Sequence, residues 1–137
     1  MKIFVVLAVS TVLVSIFFCH TAMAVPSMPD DVQMVQPDPS LPKELSAFLG
    51  KWEWISNPME FFLIVEKISE EKASLYVWRS GSSWPRGTPM GWQRIEAKVI
   101  KDRGKYKLSH GDDVYTLMGE HLITFAPSGS SQFRRVP

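Results

Sequence analysis

Cysteine is the scarcest feature of this chain: there is one, Cys19, in 137 residues. It sits in a segment read below as a removable export signal, so the exported form would carry no thiol. That excludes a disulfide framework, a thiolate metal site and a cysteine nucleophile. Histidine is scarce as well. His110 and His121 are the two beyond the signal, and their spacing does not aim both at one ion, so no metal is expected. Excess charge is also missing: 15 basic and 14 acidic residues give +1, and loss of Lys2 balances the signs. A neutral chain lacks the basic field that nucleic acid binding draws on. No internal repeat and no sustained helical period is present.

What is present begins with an export signal. Lys2 supplies a positive start, Ile3 to Phe18 an apolar stretch, and Ala22-Met23-Ala24 a small-x-small cleavage site. The apolar run is too short and too abruptly ended for a permanent membrane span. Cleavage after Ala24 is expected, with a periplasmic or secreted product. Lipid attachment at Cys19 is disfavoured because Phe17 and Phe18 stand where small residues are wanted. Residues 25–41 follow as an arm with Pro26, Pro29, Pro37 and Pro39, a composition that favours extended, loosely packed chain.

From residue 42 onward the chain predicts one all-β domain. Pro42 to Leu49 reads as a short helical turn stopped by Gly50. Lys51 then starts alternation, with Trp52 and Trp54 on one face. The second strand, Glu60 to Ile68, is apolar on both faces, as in a strand covered on both sides or facing a partner. Unbroken alternation groups Phe62, Ile64, Glu66 and Ile68 on one face of it. Ala73 to Arg79 is the third strand. The fourth, Trp92 to Ile100, points Gln93, Ile95, Ala97 and Val99 inward. Four shorter strands follow: Lys105 to Ser109, Asp113 to Met118, His121 to Ala126 and Ser131 to Val136. Lys101-Asp102-Arg103-Gly104 joins the fourth to the fifth as a hairpin turn with a glycine for positive φ. Eight short strands on hairpin-length connections predict a small up-and-down antiparallel β-barrel, which also hides its edges.

The sequence assembles no catalytic constellation. The serine-rich stretches Ser80–Ser83 and Ser128–Ser131 are followed by no helix, as a nucleophile elbow requires. No carboxylate pair stands out from ordinary surface charge. The glycine-rich segment Gly81–Gly87 lacks the lysine and helix of a phosphate loop. No enzyme activity and no cofactor are expected.

The helical turn followed by Gly50-x-Trp52 at the head of the first strand resembles the lipocalin and calycin barrels. It is most similar to the shorter lipocalin-like domains of secreted bacterial proteins. The resemblance implies that Trp52 closes the barrel floor against an arginine of the last strand, either Arg134 or Arg135. The residues add a second site. The Ser80–Gly91 loop is too long for a hairpin turn and holds Trp84 and Arg86. With Trp78 before it and Trp92 after it, three indoles are expected to gather at one barrel end. There they would take a small apolar or aromatic-compatible ligand, or a partner protein of the cell envelope. The alternative is a solid-core structural or interaction module whose bulky side chains fill the interior and leave no ligand cavity.

Overall fold

The computed structural model describes residues 27–58, 60–81 and 87–137. The predicted signal, Trp84 and Arg86 therefore lie outside the described residues. One helical turn, α1 (Lys43–Ser46), precedes eight strands. These are β1 (Gly50–Trp54), β2 (Phe61–Ile68), β3 (Lys72–Arg79), β4 (Gly91–Asp102), β5 (Lys105–His110), β6 (Asp113–Met118), β7 (His121–Ala126) and β8 (Gly129–Val136). Each pairs antiparallel with the next, and β8 closes onto β1 as an up-and-down barrel.

Alternation places the core. Trp52, Leu63, Leu75, Leu108, Leu122 and Phe133 point inward and are at most 1% exposed. Burying each such side chain contributes about 1.5–3 kcal/mol. Leu45 and Phe48 enter from α1 and the residues after it, and plug the end where β1 begins. That end is the floor; the mouth lies at the other end, between the β1–β2, β3–β4, β5–β6 and β7–β8 connections. In the β4–β5 turn, Arg103 (φ 50) and Gly104 (φ 80) both take positive φ. This is the geometry that matches a two-residue hairpin to strand twist.

Two features depart from the sequence expectation. First, pairing of β2 with β3 slips between Val65 and Lys67, leaving Glu66 as a bulge. The slip returns Ile68 to the inner face with Leu63 and Val65, where unbroken alternation would place it outside. Second, the arm holds no helix or strand over residues 27–41, yet it is packed rather than loose. It lies on the outer wall of β2–β4. The Glu66 carbonyl, released from the ladder by the bulge, accepts the Val35 N–H at 2.9 Å. The Tyr76 hydroxyl donates to Asp31 at 2.6 Å, and Trp92 Nε1 donates to the Ser27 carbonyl at 2.8 Å. Outward-facing Phe62, Ile64 and Tyr76 are consequently buried. The chain's own arm is the cover that the two-faced apolar β2 called for.

Candidate functional site

The floor brings together the residues expected there. The Arg135 guanidinium lies 4.2 Å from the Trp52 ring centroid, a cation–π contact. It also donates to the Leu49 carbonyl and, at 2.6 Å, to the Ala47 carbonyl, two acceptors left free where α1 ends. Trp52 Nε1 donates to the Phe48 carbonyl at 2.9 Å. Gly50 has φ +128, and a Cβ there would collide with Arg135 Nη1. Glycine is required at this point for both reasons. Arg134 faces out instead and donates to Glu53 at 2.5 Å.

Of the predicted aromatic cluster, Trp78 and Trp92 meet at the mouth-side ends of β3 and β4. Trp78 and Trp92 are cross-strand partners with ring centroids 5.6 Å apart. They sit on the outer wall under the arm, beside Phe62 and Tyr76, and not over the mouth. The reason is strand parity. Leu75 and Val77 face the core, so Tyr76 and Trp78 must face away. Trp84 and Arg86, the other half of that expectation, lie outside the described residues.

Beneath the arm the wall holds a polar hub. Glu66 is 1% exposed, and its carboxylate accepts from Ser74 Oγ at 2.7 Å, from the Gln33 N–H at 3.2 Å and from the Arg94 guanidinium. Burial pushes its pKa up, but these three partners together outweigh burial and hold it below the usual carboxylate value.

The mouth is built differently. An open recess of about 760 Å³ is lined there by Trp54, Phe61, Arg79, Asp113, Thr124 and Ser131, with Gly87–Pro89 of the β3–β4 loop and residues 126–130 at its rim. The polar side chains continue the inward rows of their strands. Arg79 follows Leu75 and Val77, and Asp113 precedes Tyr115. Thr124 follows Leu122, and Ser131 precedes Phe133. The Arg79 guanidinium lies 5.3 Å over the Phe61 ring and reaches across from β3 to within 3.6 Å of Asp113 on β6. Phe61 packs edge-on to Phe133 at 4.7 Å.

Among the described residues, three inward polar atoms in this half of the barrel are buried with no hydrogen-bond partner in the protein: Tyr115 OH, Thr124 Oγ1 and Gln93 Nε2. Tyr115 and Thr124 are cross-strand partners, and Gln93 is paired with inward-facing Val77. Burial, and secondarily the Asp113 carboxylate, push the Tyr115 phenol pKa up, while Arg79 pulls it down. The hydroxyl therefore lies in the field of that ion pair and stays protonated. A fourth such atom, Trp78 Nε1, belongs to the outer wall.

Two other recesses differ in kind. One of about 430 Å³ on the wall is bordered by Lys72, Glu96 and Arg94, which are already ion-paired. Another of about 490 Å³ beside the floor is bordered by Arg134 and Arg135, which are bonded as described. Among the described residues no three His, Cys, Asp or Glu side chains gather where a metal could be held. Comparison with known protein families, curated proteins and solved structures returns no match.

The site residues Arg79, Gln93, Asp113, Tyr115 and Thr124 were missed in the sequence. Their signal was the appearance of polar side chains at the mouth-side ends of otherwise apolar inward rows.

Proposed function

We propose that this is an exported, lipocalin-like small barrel that holds a small, aromatic-compatible ligand in the recess at its mouth and performs no catalysis. One observation carries the reading: an open recess at the mouth is lined by Thr124, whose buried Oγ1 has no protein partner, next to its cross-strand neighbour Tyr115, whose buried OH has none either. Leaving a buried polar group unsatisfied costs about 1–3 kcal/mol. A ligand that supplies the missing partners would recover that cost on binding. An eight-stranded barrel is just wide enough to fill with side chains or to hold one small molecule. Here the floor half is filled and the mouth half is recessed. The Gly50-x-Trp52 turn and the Arg135 contact support the lipocalin-like reading. The Lys2 start and Ala22-Met23-Ala24 support export.

The second reading, a solid-core envelope module, is favoured by the dense packing around Trp52 and Phe133. Native mass spectrometry of the protein purified from its own host separates the two. A bound small molecule lost on denaturation is expected; a bare chain would favour the solid-core module. N-terminal sequencing of the same sample should begin at Val25, and a start at a lipid-bearing Cys19 would defeat signal cleavage after Ala24.

A further inference from the structure

The arm is held on the outer wall of β2–β4 chiefly by its main chain. Its larger side chains take little part: Met28, Met34 and Val35 are 41%, 46% and 43% exposed. The wall reads two N–H groups, one carbonyl and one carboxylate. The Glu66 carbonyl accepts the Val35 N–H, and the Glu66 carboxylate accepts the Gln33 N–H. Tyr76 donates to Asp31, and Trp92 donates to the Ser27 carbonyl. The series stops at Pro37, which has no N–H to give. Beneath it Phe62, Ile64 and Tyr76 are buried, and a bare wall would put them in water. None of these bonds requires the arm to belong to the same barrel. The link to α1 bends at an exposed turn, where Asp38 Oδ1 accepts from the Ser40 N–H at 2.8 Å and from Ser40 Oγ at 2.7 Å. The Leu41 N–H meets the Asp38 carbonyl at 2.9 Å. Pro37, Pro39 and Pro42 stiffen the chain around that turn. Opening it loses a few surface bonds, and every wall bond is regained on a neighbouring copy.

We propose that the arm exchanges between copies: two barrels form a reciprocal dimer in which residues 27–35 of each lie on the β2–β4 wall of the other. A second copy is the fitting occupant because its arm presents the carboxylate, the N–H groups and the carbonyl in the order the wall reads. The barrel is closed, so copies have no free strand edge to pair through. The arm joins them without disturbing a strand. A short flexible tether gives its own arm an effective concentration of about millimolar, and a stiff link lowers it. The exchanged dimer therefore gains share as protein concentration rises.

Disulfide trapping tests this on the full chain with Cys19→Ser, which leaves no other thiol. One batch carries Val35→Cys and the other Lys67→Cys, two exposed positions brought together by the bond from the Val35 N–H to the Glu66 carbonyl. The batches are mixed, oxidised mildly and read by native mass spectrometry and non-reducing gels. The expected result is a covalent heterodimer about tenfold more abundant than in a control that pairs Val35→Cys with Lys105→Cys, at the start of β5. Its yield should rise with protein concentration, and rise further with Asp38→Ala, which loosens the turn. No heterodimer up to millimolar protein, or a yield equal to the control's, would overturn exchange. A dimer that lacks the 35–67 link would place the contact on another face and overturn it as well. Circular dichroism checks each variant's fold. If a cysteine variant misfolds, the chain without engineered cysteines decides: a dimer whose share falls with Asp31→Ala supports exchange, and a monomer at every concentration, or a dimer indifferent to Asp31→Ala, overturns it.

Discussion

The two ends of this barrel treat buried polar atoms in opposite ways. At the floor they are matched: Trp52 Nε1 has the Phe48 carbonyl, and Arg135 has the Ala47 and Leu49 carbonyls and the Trp52 ring. At the mouth, among the described residues, Tyr115, Thr124 and Gln93 each bury a polar atom without a protein partner. One chain builds both ends from the same strands, so folding does not force the difference. The floor is arranged for stability. The mouth carries a local cost of the kind that the proposed binding site would explain.

The contrast yields variants with graded effects. Trp52→Ala should be the most damaging. It removes a buried indole, the cation–π contact and one hydrogen bond, and should lower unfolding free energy by about 3–5 kcal/mol in urea titrations. A loss near that of a surface substitution would mean that the floor is not the stabilising end.

Glu66→Gln on the arm-covered wall should cost about 1.5–3 kcal/mol, because it weakens charge-assisted bonds from Arg94 and the Gln33 N–H. The same carboxylate gives the wall a pH dependence. Its folded pKa is lowered from 4.5, so its stabilisation is present above that value and is lost as pH falls through the folded pKa. Acid titration of stability should therefore steepen below about pH 4.5 in the parent and be flatter in Glu66→Gln. Identical acid profiles would remove Glu66 from this role.

Gly50→Ala should cost less, about 1–2 kcal/mol, through the positive φ and the displaced Arg135 side chain. A neutral result in thermal melts would show that Arg135 can move aside freely and that the floor is looser than its contacts suggest.

Much of the floor was legible in the sequence, and little of the mouth was. Alternation is a local property, so strands such as β6 and β7 could be delimited from Asp113–Met118 and His121–Ala126 alone. Gly50, Trp52 and a C-terminal arginine could be associated because a family resemblance linked them; choosing Arg135 over Arg134 needed the register Trp52↔Arg135. The bulge at Glu66 was invisible because one extra residue leaves no compositional mark and reverses parity from there on. The arm's docking was half legible. β2 was apolar on both faces, but nothing local said that residues 27–41 of the same chain would cover it. The mouth escaped notice because Arg79 and Asp113 are 34 positions apart in sequence and meet only when the barrel closes. Trp78 and Trp92 attracted attention as indoles, whereas the parity of β3 had already turned them outward.

The most direct test of the contrast between the ends is the unfolding free energy of the double variant Tyr115→Phe, Thr124→Val without any ligand. It removes two buried hydroxyls that have no partners, Tyr115 OH and Thr124 Oγ1, with little change of shape. Deleting unsatisfied polar groups in this way is neutral or stabilising. The expected result is stability unchanged or raised by about 1 kcal/mol or more, the reverse of every floor variant. A loss of about 2 kcal/mol or more would mean that these hydroxyls are satisfied in the folded protein, and would contradict a mouth held in reserve for a ligand.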